Sequence, residues 1–278
     1  DFVATSRNYS TNVKAGKNKK KKDMTSFDMI RSLRLNVPVN VAFNNQETLG
    51  KLVQRLSTQL EPDSLALEVA FTNTPFLQEN GFTEETILAL FIPNTYEFYW
   101  NTPANKIANK LAKEYNKFWN EDRLAKAKAK NLTPIQVYTL ASIVHKETAK
   151  VDERSDVAGV YLNRLRQDMP LQADPTIIYA IKLRSGDFDQ EIKRVFYNDL
   201  RIKSPYNTYI NKGLPPGPIA MPDVSAIDAV LNATNHDYIY FCANPDKPGY
   251  HAFASSYEAH QVNAKKYAEW VTKLGIDR

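Results

Sequence analysis

A glutamate within an apolar helical stripe is the most chemically suggestive feature of this sequence. On a helical wheel, one arc of roughly 160° contains Val137, Leu140, Ile143 and Val144. Glu147 falls inside the same arc, since it follows Ile143 by four residues and Val144 by three. A carboxyl group at the edge of apolar surface loses hydration of its charged form, so its pKa rises. The pattern therefore predicts a general acid that keeps its proton near neutral pH.

The alternative for Glu147 is a structural ion pair. Lys150, Arg154 and Arg164 supply cations within the same stretch of chain. A buried ion pair also perturbs the pKa of a carboxyl group, so a shifted pKa alone does not identify a catalyst. For a glutamate in an amphipathic helix considered by itself, the ion pair is the favoured interpretation. The choice between the two depends on the surrounding sequence.

Several sequence blocks around Glu147 together carry a family resemblance. They are, in chain order, 141–148 (ASIVHKET), 157–165 (VAGVYLNRL), 169–176 (MPLQADPT), 204–209 (SPYNTY), 213–219 (GLPPGPI) and 251–253 (HAF) with His260. In this order they closely resemble the endolytic murein transglycosylases, over residues 133 to 265. The resemblance implies that Glu147 is the single catalytic acid/base, since its Glu-Thr pair matches the Glu-Ser pair of other lytic transglycosylases.

The resemblance also implies the reaction, which is that of a lyase. Glu147 would protonate the glycosidic oxygen between N-acetylmuramic acid (MurNAc) and N-acetylglucosamine (GlcNAc), then accept the proton of the muramic acid C6 hydroxyl. The product is a 1,6-anhydroMurNAc end. Because the nucleophile belongs to the substrate, no second carboxylate is required, unlike in the two-carboxylate glycosidases. No cofactor and no metal are expected. One departure is His145, where members of this family often carry an acidic residue; its imidazole would alter the pH dependence.

Five further residues in the matching blocks are candidates for substrate binding. Gln172, Asn207 and Tyr209 offer donors and acceptors for N-acetyl and hydroxyl groups, and Tyr206 can lie against a sugar ring. Asp174 is either a partner carboxylate or a turn residue that caps the next helix, and the sequence leaves both interpretations open. Each of these residue types, taken alone, is more often a turn or packing residue.

Hydrophobic patterning predicts an α+β fold with three parts. Residues 1–100 form a small mixed N-terminal region, which the resemblance likens to the LysM modules that hold cell-wall glycans. Its expected order is a strand at 37–43, a helix at 45–60, a second helix that ends near Phe91 and a strand at 91–100, preceded by a strand at 1–5 and a helix at 25–33. Residues 101–132 form a helical connector, and 133–278 a catalytic domain.

The catalytic domain is predicted to be mainly helical with a small β element. Thr133 and Pro134 are an N-cap and a first helical residue, so a helix should run from there to about Lys150. Further helices are expected at 153–166 and 256–274, with a strand at 238–242. The turn-rich segment between them contains the Gln172 and Asn207 blocks.

The amino-acid composition gives no sign of a disordered chain, a nucleic-acid-binding protein or a metalloprotein. Hydrophobic residues make up 43% and charged residues 24% of the 278, so the chain is an ordinary globular protein. The net charge of +5 owes much to the segment 17–22 (KNKKKK), which is typical of a solvated hairpin tip and, without aromatic interleaving, does not indicate nucleic-acid binding. Cys242 is the only cysteine, and the four histidines lack metal-ligand spacing.

The resemblance implies partners and a location. The partners are peptidoglycan glycan strands and cell-wall synthases at the membrane, with no nucleic acid. The location is the cell envelope, anchored in the cytoplasmic (inner) membrane with the catalytic domain on the outer (periplasmic) side, through an anchor absent from this chain. The alternative function is a non-catalytic peptidoglycan-binding scaffold protein of the envelope. Anhydro-ended fragments, lost in Glu147→Gln, would distinguish the enzyme from the scaffold.

Overall fold

The computed structural model describes residues 16–32 and 36–273. The strand expected at 1–5 lies outside these residues. The chain divides into two compact units. The first contains the described residues up to Asn44 with Leu49–Phe82 and Pro93–Glu114, and the second contains Asn45–Thr48, Thr83–Ile92 and the described residues from Tyr115 onward. The functional division into 1–100, 101–132 and 133–278 stays a prediction.

The first unit has a two-stranded antiparallel sheet, in which β1 (Val39–Phe43) pairs with β2 (Asn94–Phe98). The ring of Phe43 stacks on that of Tyr96 at 5.3 Å, which joins the strands on one face. Its helices are α1 (Ser26–Ser32), α2 (Leu49–Ser57), α3 (Ser64–Thr72) and α4 (Thr74–Asn80). Helix α5 (Ala104–Phe118) follows β2 and belongs to this unit as far as Glu114. The lysine run lies in the exposed loop before α1.

The helical segment between the two strands is more divided than the sequence analysis predicts. The helix expected at 45–60 is limited to α2, and the one expected to end near Phe91 is replaced by α3, α4 and a 3₁₀ turn at Ile87–Leu90. Asp63 caps the start of α3, because its Oδ1 accepts the Ala66 amide at 2.7 Å. Pro75 in the first turn of α4 and Gly81, at φ 73°, mark the limits of the next helix.

The second unit is mainly helical. Its elements are α6 (Glu121–Ala129), α7 (Pro134–Glu147), α8 (Arg154–Arg166), α9 (Asp174–Ser185), α10 (Val224–Leu231), β3 (Tyr240–Ala243), β4 (His251–Ala254) and α11 (Tyr257–Lys273), with 3₁₀ turns at Val151–Glu153 and Asp199–Arg201. Helix α7 is central, since it packs against α8, α9 and α10 and is buried at every residue from Val137 to Val144. The strands β3 and β4 pair antiparallel, and α11 packs on β3.

Both ends of α7 are fixed by local hydrogen bonds. At its start Thr133 and Gln136 form a reciprocal capping box, and Pro134 is the first helical residue, as predicted. The helix ends at Glu147, three residues before the predicted end, because Thr148 is in an extended conformation with φ −137°. The carboxyl group of Glu147 is thus carried by the last helical residue. Strand β4 was not predicted from the sequence.

The α+β fold class with a predominance of helix is confirmed. The predicted location, anchored in the cytoplasmic membrane, is contradicted. A spanning helix needs about 20 mainly apolar residues. Within residues 16–32 and 36–273, no helix has both the length and the apolar character to cross a bilayer.

Candidate active site

The Glu147 side chain lies at the end of the α7 apolar stripe, where it meets α8. It is only partly exposed, and its Oε1 accepts a hydrogen bond of 2.5 Å from the hydroxyl of Tyr161. Tyr161 is itself 1% exposed, and its ring packs edge-on against Phe241 of β3 at 5.8 Å. The tyrosine is therefore held rigidly, and it fixes the orientation of the Glu147 carboxyl group.

The surroundings of Glu147 shift its pKa in opposite directions. Their net effect raises the pKa of the carboxyl group to about 7. Burial has the largest effect and raises the pKa, whereas the Tyr161 hydrogen bond lowers it because it stabilises the charged form. The negative charge of Asp174 raises the pKa further, and the positive charge of Arg164 lowers it. A carboxyl group with this pKa is present in both protonation states near neutral pH, so it can donate and accept a proton.

Glu147 does not form the ion pair that was its structural alternative. Among the described residues, neither Lys150, Arg154 nor Arg164 brings a nitrogen within 4.0 Å of its carboxyl oxygens. Arg164 is occupied by main-chain carbonyl groups: its Nε donates to Ile239 at 2.6 Å and its Nη1 to Leu171 at 2.7 Å. This buried guanidinium acts on Glu147 only through its electrostatic field.

Three of the predicted substrate-binding residues lie together near Glu147 and Arg164, namely Asp174, Tyr209 and Gln172. The hydroxyl of Tyr209 donates to Asp174 Oδ1 at 2.5 Å, and the Gln172 side-chain oxygen accepts from Arg164 Nη1 at 3.3 Å. Asp174 is the first residue of α9 and makes no side-chain cap, so the capping interpretation of this residue is not supported. Gln172 and Asp174 are exposed and Tyr209 is half-buried, which leaves all three accessible to a ligand.

Tyr206 and Asn207 are placed differently. Tyr206 is 5% exposed and its ring lies 4.7 Å from that of Tyr179, which limits its contact with a sugar to an edge. Asn207 is fully buried: its Nδ2 donates to the carbonyl groups of Leu200 and Ile202, and its Oδ1 accepts the Tyr209 amide at 2.8 Å. Asn207 thus supports the loop that carries Tyr209.

A second hydrogen-bond network fixes the turn after Glu147. The buried Thr148 hydroxyl donates to Glu153 Oε2 at 3.1 Å, and the other oxygen of Glu153 accepts the amide of His251 at 2.6 Å. The ring nitrogen Nδ1 of His251 lies 2.9 Å from Glu153 Oε2. This network ties the end of α7 to β4 and therefore helps to hold Glu147 in place.

His145 lies on the other side of α7 from Glu147, in contact with Arg154 and Asp223. Its Nδ1 is 3.3 Å from both Arg154 Nη2 and Asp223 Oδ2. Burial lowers the pKa of the imidazole, and the positive charges of Arg154 and Lys146 add to this effect while Asp223 opposes it. The neutral ring accepts the Arg154 hydrogen bond.

Tyr161 was not selected from the sequence, and Arg164 was considered only as an ion-pair partner of Glu147. They are three residues apart on α8, and Arg164 continues the stripe of Val157 and Val160. An arginine in line with an apolar stripe is the signal of a buried cation that could have been used. For metal binding, no group of three or more histidine, cysteine, aspartate or glutamate side chains is assembled within residues 16–32 and 36–273.

Comparison with known proteins gives the family. The YceG-like family matches residues 1–266. This chain belongs to the YceG-like family. A solved structure of a yceG-like protein from Listeria monocytogenes superposes with a TM-score of 0.65 at 26% identity, over 94% of this chain and 88% of that one.

Two curated relatives are named endolytic murein transglycosylase. The protein of Streptococcus pneumoniae strain D39 is 29% identical over 96% of this chain and 52% of its own length. That of Bacillus subtilis strain 168 is 35% identical over 63% of this chain and 46% of its own length. The chain thus spans about half the length of the curated relatives it matches.

Proposed function

We propose that this chain is an endolytic lytic transglycosylase that cleaves the MurNAc–GlcNAc bonds of peptidoglycan strands and leaves 1,6-anhydroMurNAc ends. The observation that carries the proposal is the partly buried Glu147, which forms no ion pair with the described residues and whose carboxyl group has a pKa of about 7. Membership of the YceG-like family and the names of its curated relatives support the substrate class.

Glu147 performs both proton transfers in this proposal. Its protonated form donates to the glycosidic oxygen, the bond to the muramic acid C1 breaks, and positive charge develops on that sugar. The carboxylate then accepts the proton of the C6 hydroxyl as the C6 oxygen bonds to C1. The Tyr161 hydroxyl, 2.5 Å from Oε1, stabilises the carboxylate between the two steps.

The neighbouring residues bind and orient the strand. The Asp174 carboxylate faces the same region as Glu147 and supplies negative charge where the sugar becomes positive. The Tyr209 hydroxyl donates to Asp174 and accepts hydrogen bonds from hydroxyl or N–H groups of the strand, and the exposed side-chain amide of Gln172 donates to N-acetyl and hydroxyl oxygens. Tyr206 contributes a ring edge, and Asn207 acts through the position of Tyr209. No cofactor enters this scheme.

The proposal is tested by incubating the protein with purified peptidoglycan and identifying the released fragments by mass spectrometry. Anhydro-ended fragments are expected, and Glu147→Gln should lower their rate of release by at least about 10²-fold, the usual contribution of a positioned acid/base. The matched control is Glu121→Gln, which neutralises an exposed carboxylate in the first turn of α6. Reducing ends in place of anhydro ends would contradict the transglycosylase chemistry.

A non-catalytic scaffold that binds peptidoglycan is the alternative function. It would require binding without fragment release, and it gives no role to a carboxyl group with a raised pKa. Sedimentation with insoluble peptidoglycan distinguishes the two: an enzyme releases soluble fragments in a Glu147-dependent manner, whereas a scaffold only co-sediments.

The first unit is proposed to be a LysM-like glycan-binding module. Its antiparallel β1–β2 pair with intervening helices agrees with that arrangement, and the exposed Tyr99 offers a sugar-stacking ring. In a Glu147→Gln background, Tyr99→Ala should weaken co-sedimentation with peptidoglycan by about tenfold, the effect of one lost aromatic contact. Tyr197→Ala, an exposed tyrosine of the second unit, is the control. Equal binding of both variants would remove this module from the proposal.

A further inference from the structure

The second unit contains a cavity that has no role in the proposed reaction. Its volume is about 770 Å³, within the range of small-molecule sites. It is bounded by the end of α6, the start of α7, the far side of α8 and two loops. Residues that contribute to it include Lys130, Ile135, Asn163, Arg166, Leu214 and Asn235.

This cavity is separate from the Glu147 site, because the two lie on opposite faces of α8. At about 100° per residue, Tyr161 and Arg164 lie within roughly 60° of each other and face Glu147. Leu162 and Arg166 project from the other side of the same helix into the cavity. A ligand in the cavity would therefore not block the proposed acid/base.

The charged side chains that line the cavity are all positive. Lys130 and Arg166 contribute two cations, and none of the described residues that line the cavity is an aspartate or glutamate. Burial lowers the pKa of the Lys130 ammonium, and the positive charge of Arg166 lowers it further. Within the described part of the chain, neither cation forms an ion pair. Two like charges are thus held near each other without an acid to neutralise them.

The position of Arg166 is built by the fold. Its Nη2 donates to the side-chain oxygen of Asn163, a residue that is only 4% exposed. The Asn163 amide nitrogen is in turn fixed by the carbonyl groups of His236, at 2.7 Å, and Tyr238, at 2.8 Å. The guanidinium is therefore oriented toward the cavity before any ligand arrives, which reduces the entropy lost on binding.

The rest of the lining indicates the body of the ligand. Amide side chains can pair with peptide N–H and C=O groups, and aliphatic side chains beside them suit small apolar substituents. The amides are those of Asn131, Gln136 and Asn235, and the aliphatic groups those of Leu132, Ile135 and Leu214. A lining that combines amide and aliphatic groups suits the backbone and small side chains of a short peptide.

We propose that this cavity binds the free carboxylate end of a short peptide, with Lys130 and Arg166 as the carboxylate ligands. The inference deepens the proposed function and rests on it for the source of the ligand, since peptidoglycan strands carry short peptides that end in a carboxylate. The cavity would then select strands by their peptides, independently of the acid/base.

Calorimetric titration with diacetyl-L-Lys-D-Ala-D-Ala and with its C-terminal amide tests the binding. The acid should bind, and the amide should bind at least about tenfold more weakly, because a charge-assisted hydrogen bond is lost. Lys130→Ala and Arg166→Ala should each weaken the acid by a similar factor and leave the amide unaffected. Lys128→Ala is the matched control, since this exposed lysine lies in the last turn of α6, two residues before Lys130, and outside the cavity.

Equal affinity for acid and amide, or unchanged affinity in both cavity variants, would overturn the proposal, as would the absence of binding at millimolar peptide. Displacement of the peptide by acetate at equal concentration would also overturn it, because the amide and aliphatic lining would then contribute nothing. Cleavage of peptide-free glycan strands, measured in parallel, should remain unchanged in Lys130→Ala and Arg166→Ala and be lost in Glu147→Gln. Failure of the proposed reaction is thereby distinguished from failure of the peptide site.

Discussion

Replacement of Tyr161 by phenylalanine tests the acid/base assignment most directly. The variant removes one hydrogen bond, of 2.5 Å, to Glu147 Oε1 and keeps the ring that packs against Phe241. A hydrogen bond to a charged group contributes about 1.5 to 3 kcal/mol. At about 1.4 kcal/mol per pKa unit, its loss should raise the pKa of Glu147 by about 1 to 2. The carboxyl group would then keep its proton to a pH of about 8 to 9.

The assay is the pH dependence of kcat/KM for cleavage of glycan strands. If protonated Glu147 is the acid, activity of the parent protein falls as pH rises through about 7, and in Tyr161→Phe this fall moves to higher pH. Asp174→Asn should move it to lower pH, because the negative charge that raises the pKa of Glu147 is removed. Tyr138→Phe is the control, since the buried Tyr138 hydroxyl donates to the Phe91 carbonyl and not to Glu147. A Tyr161→Phe profile that is unchanged, or shifted to lower pH, would refute the reasoning.

Three further predictions concern stability, measured by urea unfolding. Since the pKa of Glu147 is raised from 4.5 to about 7, the native state loses stability as pH rises through that interval. At about 1.4 kcal/mol per pKa unit, Glu147→Gln should be more stable than the parent by about 3 kcal/mol at pH 8 and show little difference at pH 4. Asn207→Ala should lower the free energy of unfolding by about 2 to 4 kcal/mol, because three hydrogen bonds are lost, and a purely surface effect below 1 kcal/mol would contradict it. Arg164→Met should cost about 3 kcal/mol or more, since the carbonyl groups of Leu171 and Ile239 lose their donor, and undiminished stability would contradict their burial.

The part of the site that follows from local periodicity was accessible from the sequence. The burial of α7 from Val137 to Val144, the Thr133 cap and the direction of Glu147 all depend on residues within one helix. The division of the preceding segment at Pro75 depends on the same kind of local signal, but the sequence analysis predicted a single helix there that ends near Phe91. Local sequence rules therefore predicted the position of Glu147, but they overestimated the length of the helices in the first half of the chain.

The partners of Glu147 depend on tertiary packing and could not be obtained in the same way. Tyr161 is 14 residues away along the chain, and the donor for Asp174 comes from a loop 35 residues later. Asn207 shows the opposite error, a residue that was predicted to bind substrate and has a structural role. Its residue type suits a sugar ligand, but its side-chain amide donates to backbone carbonyl groups of its own loop. Side-chain chemistry predicted which groups could bind, and only the fold determines which of them are free.

The electrostatic balance at Glu147 also explains why an arginine lies near the acid without touching it. A direct ion pair would hold the carboxyl group ionised near neutral pH, and the first proton transfer would then have no donor. Complete removal of positive charge would raise the pKa further, and the carboxyl group would then be a weaker acid for the first transfer. Arg164, bound to main-chain carbonyl groups, and Tyr161 lower the pKa while burial and Asp174 raise it. If these influences are independent, the double variant Tyr161→Phe with Asp174→Asn should return the midpoint of the pH profile toward about 7, whereas a midpoint that follows one single variant would show that they act through a shared rearrangement.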